Sequence, residues 1–441
     1  VWLLICGASV FAGCHAPSSK TLTPIESVGI VVQDDAHVPL AWRSLTDLEQ
    51  ASFDIGYAVF NTGWTPANTP PGRRDGLGPL FNAQSCDACH NSRRRGRGPR
   101  MDGEAPADLV IQLGKRLSDG TVERGIEEYG RILNTSAIEG FTHDAAVHIS
   151  YEEQVRVLDD GTHINLRKPR YQVTDLSGAA LPSSTVLMPR MPPMVQGVGL
   201  LELVPQSELD SLATREQSDR IKGHVSRINT AQGIVIGRFG WQATEPTVAA
   251  QTASAFAREM GLTTPLLSQI DCGHSARCDT AAVGGTPEVE AELFSALVFF
   301  QQLHAVPAET IPDYASQGQI LFDRLGCSAC HRNTLPVTTS ARASTVIHPY
   351  TDLLLHELGE QLADRDVEGK PVRSEWRTAP LWGLQASVKS NQPLRLLHDG
   401  RARSIEEAIL WHEGEALNAR ERYARLSASE RTILSDWIAE R

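Results

Sequence analysis

The pentapeptide Cys86-Asp87-Ala88-Cys89-His90 recurs as Cys327-Ser328-Ala329-Cys330-His331. On a helical turn, residues i, i+3 and i+4 share one face, so each copy turns two thiols and an imidazole toward the same point. Two thiols can add to the two vinyl groups of a haem while the adjacent imidazole reaches its iron, and Cys-x-x-Cys-His is the c-type haem signature for that reason. A chain with two copies must fold around two such groups. The upstream context repeats as well, since Leu80-Phe81-Asn82 and Leu321-Phe322-Asp323 each place Phe five residues before the first Cys. A four-cysteine zinc site from Cys86, Cys89, Cys327 and Cys330, or a redox dithiol, would use the same thiols. Neither accounts for a His directly after each pair.

The chain has 441 residues, 41% of them hydrophobic and 21% charged, enough for two or three domains with real cores. Its net charge of −12 argues against nucleic acid and suits docking of a basic electron carrier, a small cytochrome or cupredoxin. Residues 1–14 read as a truncated export signal, too short to span a bilayer. Its end, Val10-Phe11-Ala12-Gly13-Cys14, resembles a lipoprotein box, so the membrane is reached only through a lipid anchor. The expected location is the bacterial periplasm or cell envelope. In that oxidising compartment Cys272 and Cys278, which close a small polar loop, form a disulfide.

Residues 15–38 read as a tether, 39–306 as an N-terminal haem domain, and 307–441 as a C-terminal cytochrome c-like haem domain. The expected fold is mainly α, with a β-rich insertion over about 107–187. Within that insertion Asp159-Asp160-Gly161 is a hairpin turn. The basic run Arg93 to Arg100 reads either as solvated surface or as a counterion to haem propionates. In Met188-Pro189-Arg190-Met191-Pro192-Pro193-Met194 the methionines fill core gaps or offer a thioether to iron. Thr244 reads as the N-cap of a helix ending near Met260-Gly261, on which Gln251 and Glu259 lie on one face. Periodicity alone makes that pair a solvated stripe.

A six-coordinate haem iron needs a second axial ligand, normally His or Met. All five methionines lie at or before residue 260, so the second haem unit turns to His348, His356, His398 or His412. Ser404 and Glu407 form a capping box that starts a helix. On it Ile405, Ala408, Ile409 and His412 share the inward face, making His412 the first candidate and His356 the second.

Together these motifs, with Asp75 to Asn82, Gly237 to Trp241, Trp376 to Pro380 and Leu397 to Ala416, resemble the di-haem oxidoreductase family of the bacterial di-haem cytochrome c peroxidase superfamily. The resemblance covers about residues 40–440. It implies two covalently bound haem c groups and allows a calcium ion between the domains. In the superfamily the distal ligand of the C-terminal haem follows the His of a His-Asp-Gly stretch by fourteen residues, and from His398 that count reaches His412. The family's peroxide site is the N-terminal haem. The Trp, Gln and Glu that serve it match Trp241, Gln251 and Glu259, although Trp241 is followed by Gln-Ala rather than the usual Asp-Gly-Arg. The resemblance thus implies reduction of hydrogen peroxide or a similar oxidant at the His90 haem, with electrons entering through the His331 haem. A non-catalytic di-haem electron carrier and a related di-haem oxygenase or protein-oxidising enzyme are the alternatives.

Overall fold

The computed structural model describes residues 39–441 except 70–73, 92–94, 99–101, 104–107, 216–220, 232, 274–277, 307–315, 340–341 and 391–392. The export segment, Cys14 and the tether lie outside these residues. No helix among the described residues is long and apolar enough to cross a membrane.

Helix α1 (Asp47–Asn61) starts at a capping box in which Thr46 and Glu49 satisfy each other's backbone N–H groups. It packs on α2 (Ala291–Leu303), and Gly56 permits the close approach, because a Cβ there would lie 2.1 Å from the Ala296 carbonyl oxygen. Phe53 and Phe300 meet edge to face across this contact at 5.0 Å. The core around this helix pair also holds Phe60, Trp64, Leu200, Phe256 and Phe294. A second core gathers Trp241, Phe322, Tyr350, Trp376, Trp411 and Trp437. A third, with Leu109, Tyr129, Ile149 and Met191, lies under the sheet.

The expectation of a mainly α chain is overturned: the fold is 31% helix and 25% strand. The expected hairpin is present as β2 (Ala146–Val157) and β3 (His163–Thr174), paired antiparallel along their full length. The central sheet, however, draws on both halves of the chain. Strands β1 (Val110–Arg116) and β4 (Thr185–Arg190) pair antiparallel, and β4 then pairs with β5 (Asp364–Asp366), which pairs with Pro371–Arg373. Strands of three residues are too short to display the alternation that marks a strand in sequence. The strand β5 is held by β4, about 180 residues earlier in the chain, a pairing no local pattern encodes.

Two features tie the halves together. Arg190 on β4 makes a bidentate pair with Asp364 on β5, at 2.7 and 2.6 Å, with both side chains buried. The β2–β3 hairpin reaches the C-terminal helices, where Arg156 meets Glu421 and Asp160 meets Arg431.

Candidate functional site

Ser85 caps the short helix Cys86–His90 by accepting from the Ala88 N–H, which sets both thiols and the imidazole on one turn. His90 Nδ1 donates to the Pro193 carbonyl at 2.7 Å. The second copy is a 3₁₀ turn, Cys327–Ala329, entered through left-handed Gly326. There His331 Nδ1 donates to the Tyr350 carbonyl at 2.9 Å. In each case the carbonyl takes Nδ1 and leaves Nε2 free to ligate.

Both copies open on one cavity of about 420 Å³. All ten residues singled out from the sequence line it: Cys86, Cys89, His90, Trp241, Gln251, Glu259, Cys327, Cys330, His331 and His412. The lining also fits haem in charge. Of the arginines that line it, Arg190 is paired with Asp364 and Arg420 with Glu413 and Glu421, whereas Arg95 and Arg377 hydrogen-bond to backbone carbonyls, which leaves their charge suited to propionates. Of the described residues in the basic run after His90, Arg95 lines the cavity, while Arg97 pairs with Asp108.

The four candidate histidines separate by their hydrogen bonds. His412 Nδ1 donates to the Ala408 carbonyl at 2.7 Å, the same tether that His90 and His331 have. It lies close enough to His331 to add to the burial that pushes the His331 imidazole down to about 4. His356 has no nitrogen to spare, because Nε2 meets Asp352 at 2.9 Å and Nδ1 meets Glu415 at 2.7 Å. Burial opposes its charge, yet hydrogen bonds to Asp352, Cys330 and Glu415 outweigh that and hold its pKa up at about 12. His348 does not line the cavity. His398 does, but its ring lies flat on Trp376, with centroids 3.7 Å apart at 9°. Ile405, Ala408 and Ile409 line the cavity as their shared face predicted. Ser404 does cap that helix, but Glu407 turns away to Arg167 and Arg403 instead of closing the box.

Glu259 and Gln251 come from one continuous helix whose cap is Thr247 rather than Thr244. Its α part, Val248–Ala255, passes into a π turn, Phe256–Met260. Such turns recur at functional sites because the extra residue re-aims a side chain. The turn is anchored to the loop before the first Cys pair, since Asn82 N–H donates to the Glu259 carbonyl and Gly78 N–H to that of Met260. The Glu259 carboxyl sits near Cys89, adding to the burial that raises that thiol. Burial lifts Glu259 from its ordinary 4.5 to about 7, against the pull of Arg258 and an Asn82 hydrogen bond. Gln251 lies beside Gly240, its Oε1 3.7 Å from where a Cβ would stand.

Trp241 is buried, donating from Nε1 to the Met191 carbonyl at 2.7 Å. The Arg95 guanidinium covers its ring at 5.3 Å, and the His398 ring meets it edge-on at 6.5 Å. The stack of His398 on Trp376 was not predicted. Both residues lie in motifs that the sequence had marked, but nothing local says that the two motifs meet. Of the methionines, Met191, Met194 and Met260 line the cavity and Met188 does not. Met191 is enclosed by Gly96, Gly98 and Gly400.

Residues 133–440 match the sequence profile of the family described as "Di-haem oxidoreductase, putative peroxidase". The chain belongs to that family, whose members are haem oxidoreductases. The first Cys-x-x-Cys-His lies before the matched span. No curated protein matches the chain. Among solved structures it is similar to hydrazine synthase of Kuenenia stuttgartiensis pressurised with xenon, at 12% identity over 99% of each chain with a TM-score of 0.40, too low to carry an argument.

Proposed function

We propose that this protein is an exported di-haem c-type cytochrome that reduces hydrogen peroxide at the Cys86–His90 site, using electrons that enter at the Cys327–His331 site. What carries the reading is the inequality of the two sites within one cavity. His412, tethered through Nδ1 to the Ala408 carbonyl, lines the cavity and lies near His331, which supports it as a second ligand there. In the part of the cavity near Cys89 stands Glu259, a carboxyl held near neutrality.

Each haem, when bound, supplies an iron that gives or takes one electron at a time. The chain's own residues supply the rest of the reaction H₂O₂ + 2e⁻ + 2H⁺ → 2H₂O. Glu259, with its pKa near 7, takes a proton from one peroxide oxygen and returns it to the other, as general acid–base catalysis requires. The Gln251 amide orients the peroxide. Cys86 and Cys89 fix the first haem covalently, Cys327 and Cys330 the second, with His90, His331 and His412 as iron ligands. Trp241 carries electrons between the two sites. The Cys272–Cys278 disulfide supports an exported location, and the acidic net charge supports a basic cytochrome or cupredoxin as donor.

The test is electron paramagnetic resonance of the oxidised protein before and after peroxide, with peroxide consumption followed in parallel. The reading expects a peroxide-sensitive signal from one haem and an inert low-spin signal from the other. Two low-spin haems that peroxide leaves unchanged would make the protein an electron carrier instead.

A further inference from the structure

The run Met191-Pro192-Pro193 has no place in the mechanism above, yet each of its three carbonyls is engaged. Met191 O accepts from Trp241 Nε1 at 2.7 Å, Pro192 O from the Gly96 N–H at 3.1 Å, and Pro193 O from His90 Nδ1 at 2.7 Å. The Met191 N–H donates in turn to the His398 carbonyl at 2.6 Å. Two successive prolines have fixed φ and no N–H, so the run cannot rearrange to satisfy other partners. It is a rigid strip whose two ends hold the His90 imidazole and the Trp241 indole. Beyond Trp241 the rings continue through His398, edge-on at 6.5 Å, to Trp376, stacked at 3.7 Å. Trp376 stands opposite His356 in the strand pair Leu355–Glu357 with Glu375–Arg377, and His356 Nδ1 lies 3.6 Å from Cys330 Sγ. These contacts, with Trp376 beside His356 in the strand register, run from the neighbourhood of one Cys-x-x-Cys-His turn to that of the other.

We propose that Met191-Pro192-Pro193 is a hydrogen-bonded bridge that couples His90 electronically to Trp241, and through the Trp241–His398–Trp376 stack to the second haem unit. The proposal rests on the reading of two haems with His90 as an axial ligand, and it adds the route between them. One electron crosses the bridge at a time: the donor iron at His331 is oxidised by one, the acceptor iron at His90 is reduced by one, and no bond is made or broken. Pro193 and Pro192 are positioning residues, acting through their carbonyls and their rigidity.

The test uses the di-haem protein without peroxide. Photolysis of carbon monoxide from the half-reduced form starts electron transfer between the haems, and resonance Raman of the reduced protein reads the iron–histidine stretch at His90, which reports the Nδ1 hydrogen bond. Pro193→Gly is expected to lower that stretch and to slow inter-haem transfer by an order of magnitude or more, with the absorption spectrum of the second haem unchanged. Trp241→Phe, which keeps an aromatic ring but removes the N–H donor, is expected to slow transfer while leaving the His90 stretch in place. If Pro193→Gly fails to assemble both haems, Pro193→Ala takes its place in the same two measurements. Native transfer rates in the Pro193 variant and in Trp241→Phe overturn the proposal. Because peroxide is absent throughout, an unaffected rate leaves the peroxidase reading standing, and a peroxide-inert protein leaves the bridge standing.

Discussion

Replacing Glu259 by Gln should cost reactivity and gain stability, and the two effects share one cause. Burial lifts this carboxyl from 4.5 to about 7. Roughly a tenth of it is ionised at pH 6 and roughly nine-tenths at pH 8. On the proposed function the ionised form takes the proton from peroxide, so the native rate should rise about tenfold per pH unit below 7 and level off above it. A Gln cannot take that proton, and losing a general acid–base group costs about 10²- to 10⁴-fold. The stability sign runs the other way. Below pH 4.5 the carboxyl is protonated in both folded and unfolded chains, and nothing is at stake. Between 4.5 and 7 the folded chain keeps a proton that the unfolded chain releases, so stability falls as pH rises through this window. The full cost above pH 7 is at most about 3 kcal/mol, reduced by whatever water in the cavity screens.

Glu259→Gln therefore behaves unlike a structural lesion: at pH 8 it resists denaturant better than the native protein, at pH 5 it is nearly equal to it, and at both it reacts poorly with peroxide. Stopped-flow absorbance after mixing with hydrogen peroxide from pH 5 to 9 reads the rates, and chemical denaturation at the two pH values reads the stabilities. A variant that keeps its rate within about threefold of native, with the inflection near 7 intact, would refute the assignment.

His412→Ala should convert the second haem from low-spin to high-spin in the paramagnetic resonance spectrum, whereas His356→Gln should not, because both His356 nitrogens already face carboxylates. Asp364→Ala leaves the Arg190 guanidinium buried without its bidentate partner and should destabilise the protein by about 3–5 kcal/mol in denaturant titrations. Gly199→Ala places a methyl 1.9 Å from the Gln302 carbonyl oxygen, so two backbones must part; a loss of about 1–3 kcal/mol, read as a lowered melting temperature, is the expected result.

The legible part of the site was the part whose chemistry is local. Two thiols and an imidazole at i, i+3 and i+4 can be read without knowing anything else about the chain, and all ten predicted residues line one cavity. The helix of Ile405–Trp411 was legible for a similar reason, its apolar face and its cap lying within nine residues. What stayed hidden depends on meetings between distant segments. Peptide carbonyls are the same at every position, so nothing in Met191-Pro192-Pro193 announces that its carbonyls hold Trp241, Gly96 and His90. The π turn at Phe256–Met260 leaves no mark in side-chain spacing, and the cap moved from Thr244 to Thr247 because Phe239 to Glu245 close a bridge of their own first. The mainly α expectation failed in part where the three-residue strand Asp364–Asp366 of the second half found its partner in the first.

Why two copies of one pentapeptide come to differ follows from the same distinction. Each copy tethers its own imidazole through Nδ1 to a carbonyl from elsewhere, so on that side the two sites are alike. They diverge in what the fold brings near them. To His331 it delivers the end of a helix, where the backbone turns out of α geometry at His412 and Nδ1 caps back onto Ala408, which points Nε2 away from the helix. That end is firm, since Ser404 caps the start and Glu407 is bonded to Arg167 and Arg403. Near Cys89 it delivers Glu259, a half-buried carboxyl in the cavity wall whose pKa desolvation raises to about 7. On the proposed reading, a tethered imidazole would close an iron position, whereas a carboxyl that gains and loses a proton near pH 7 would serve beside a position left open. Exchanging the sites would therefore require exchanging the elements that face the motifs, and no change within Cys86–His90 or Cys327–His331 would accomplish it.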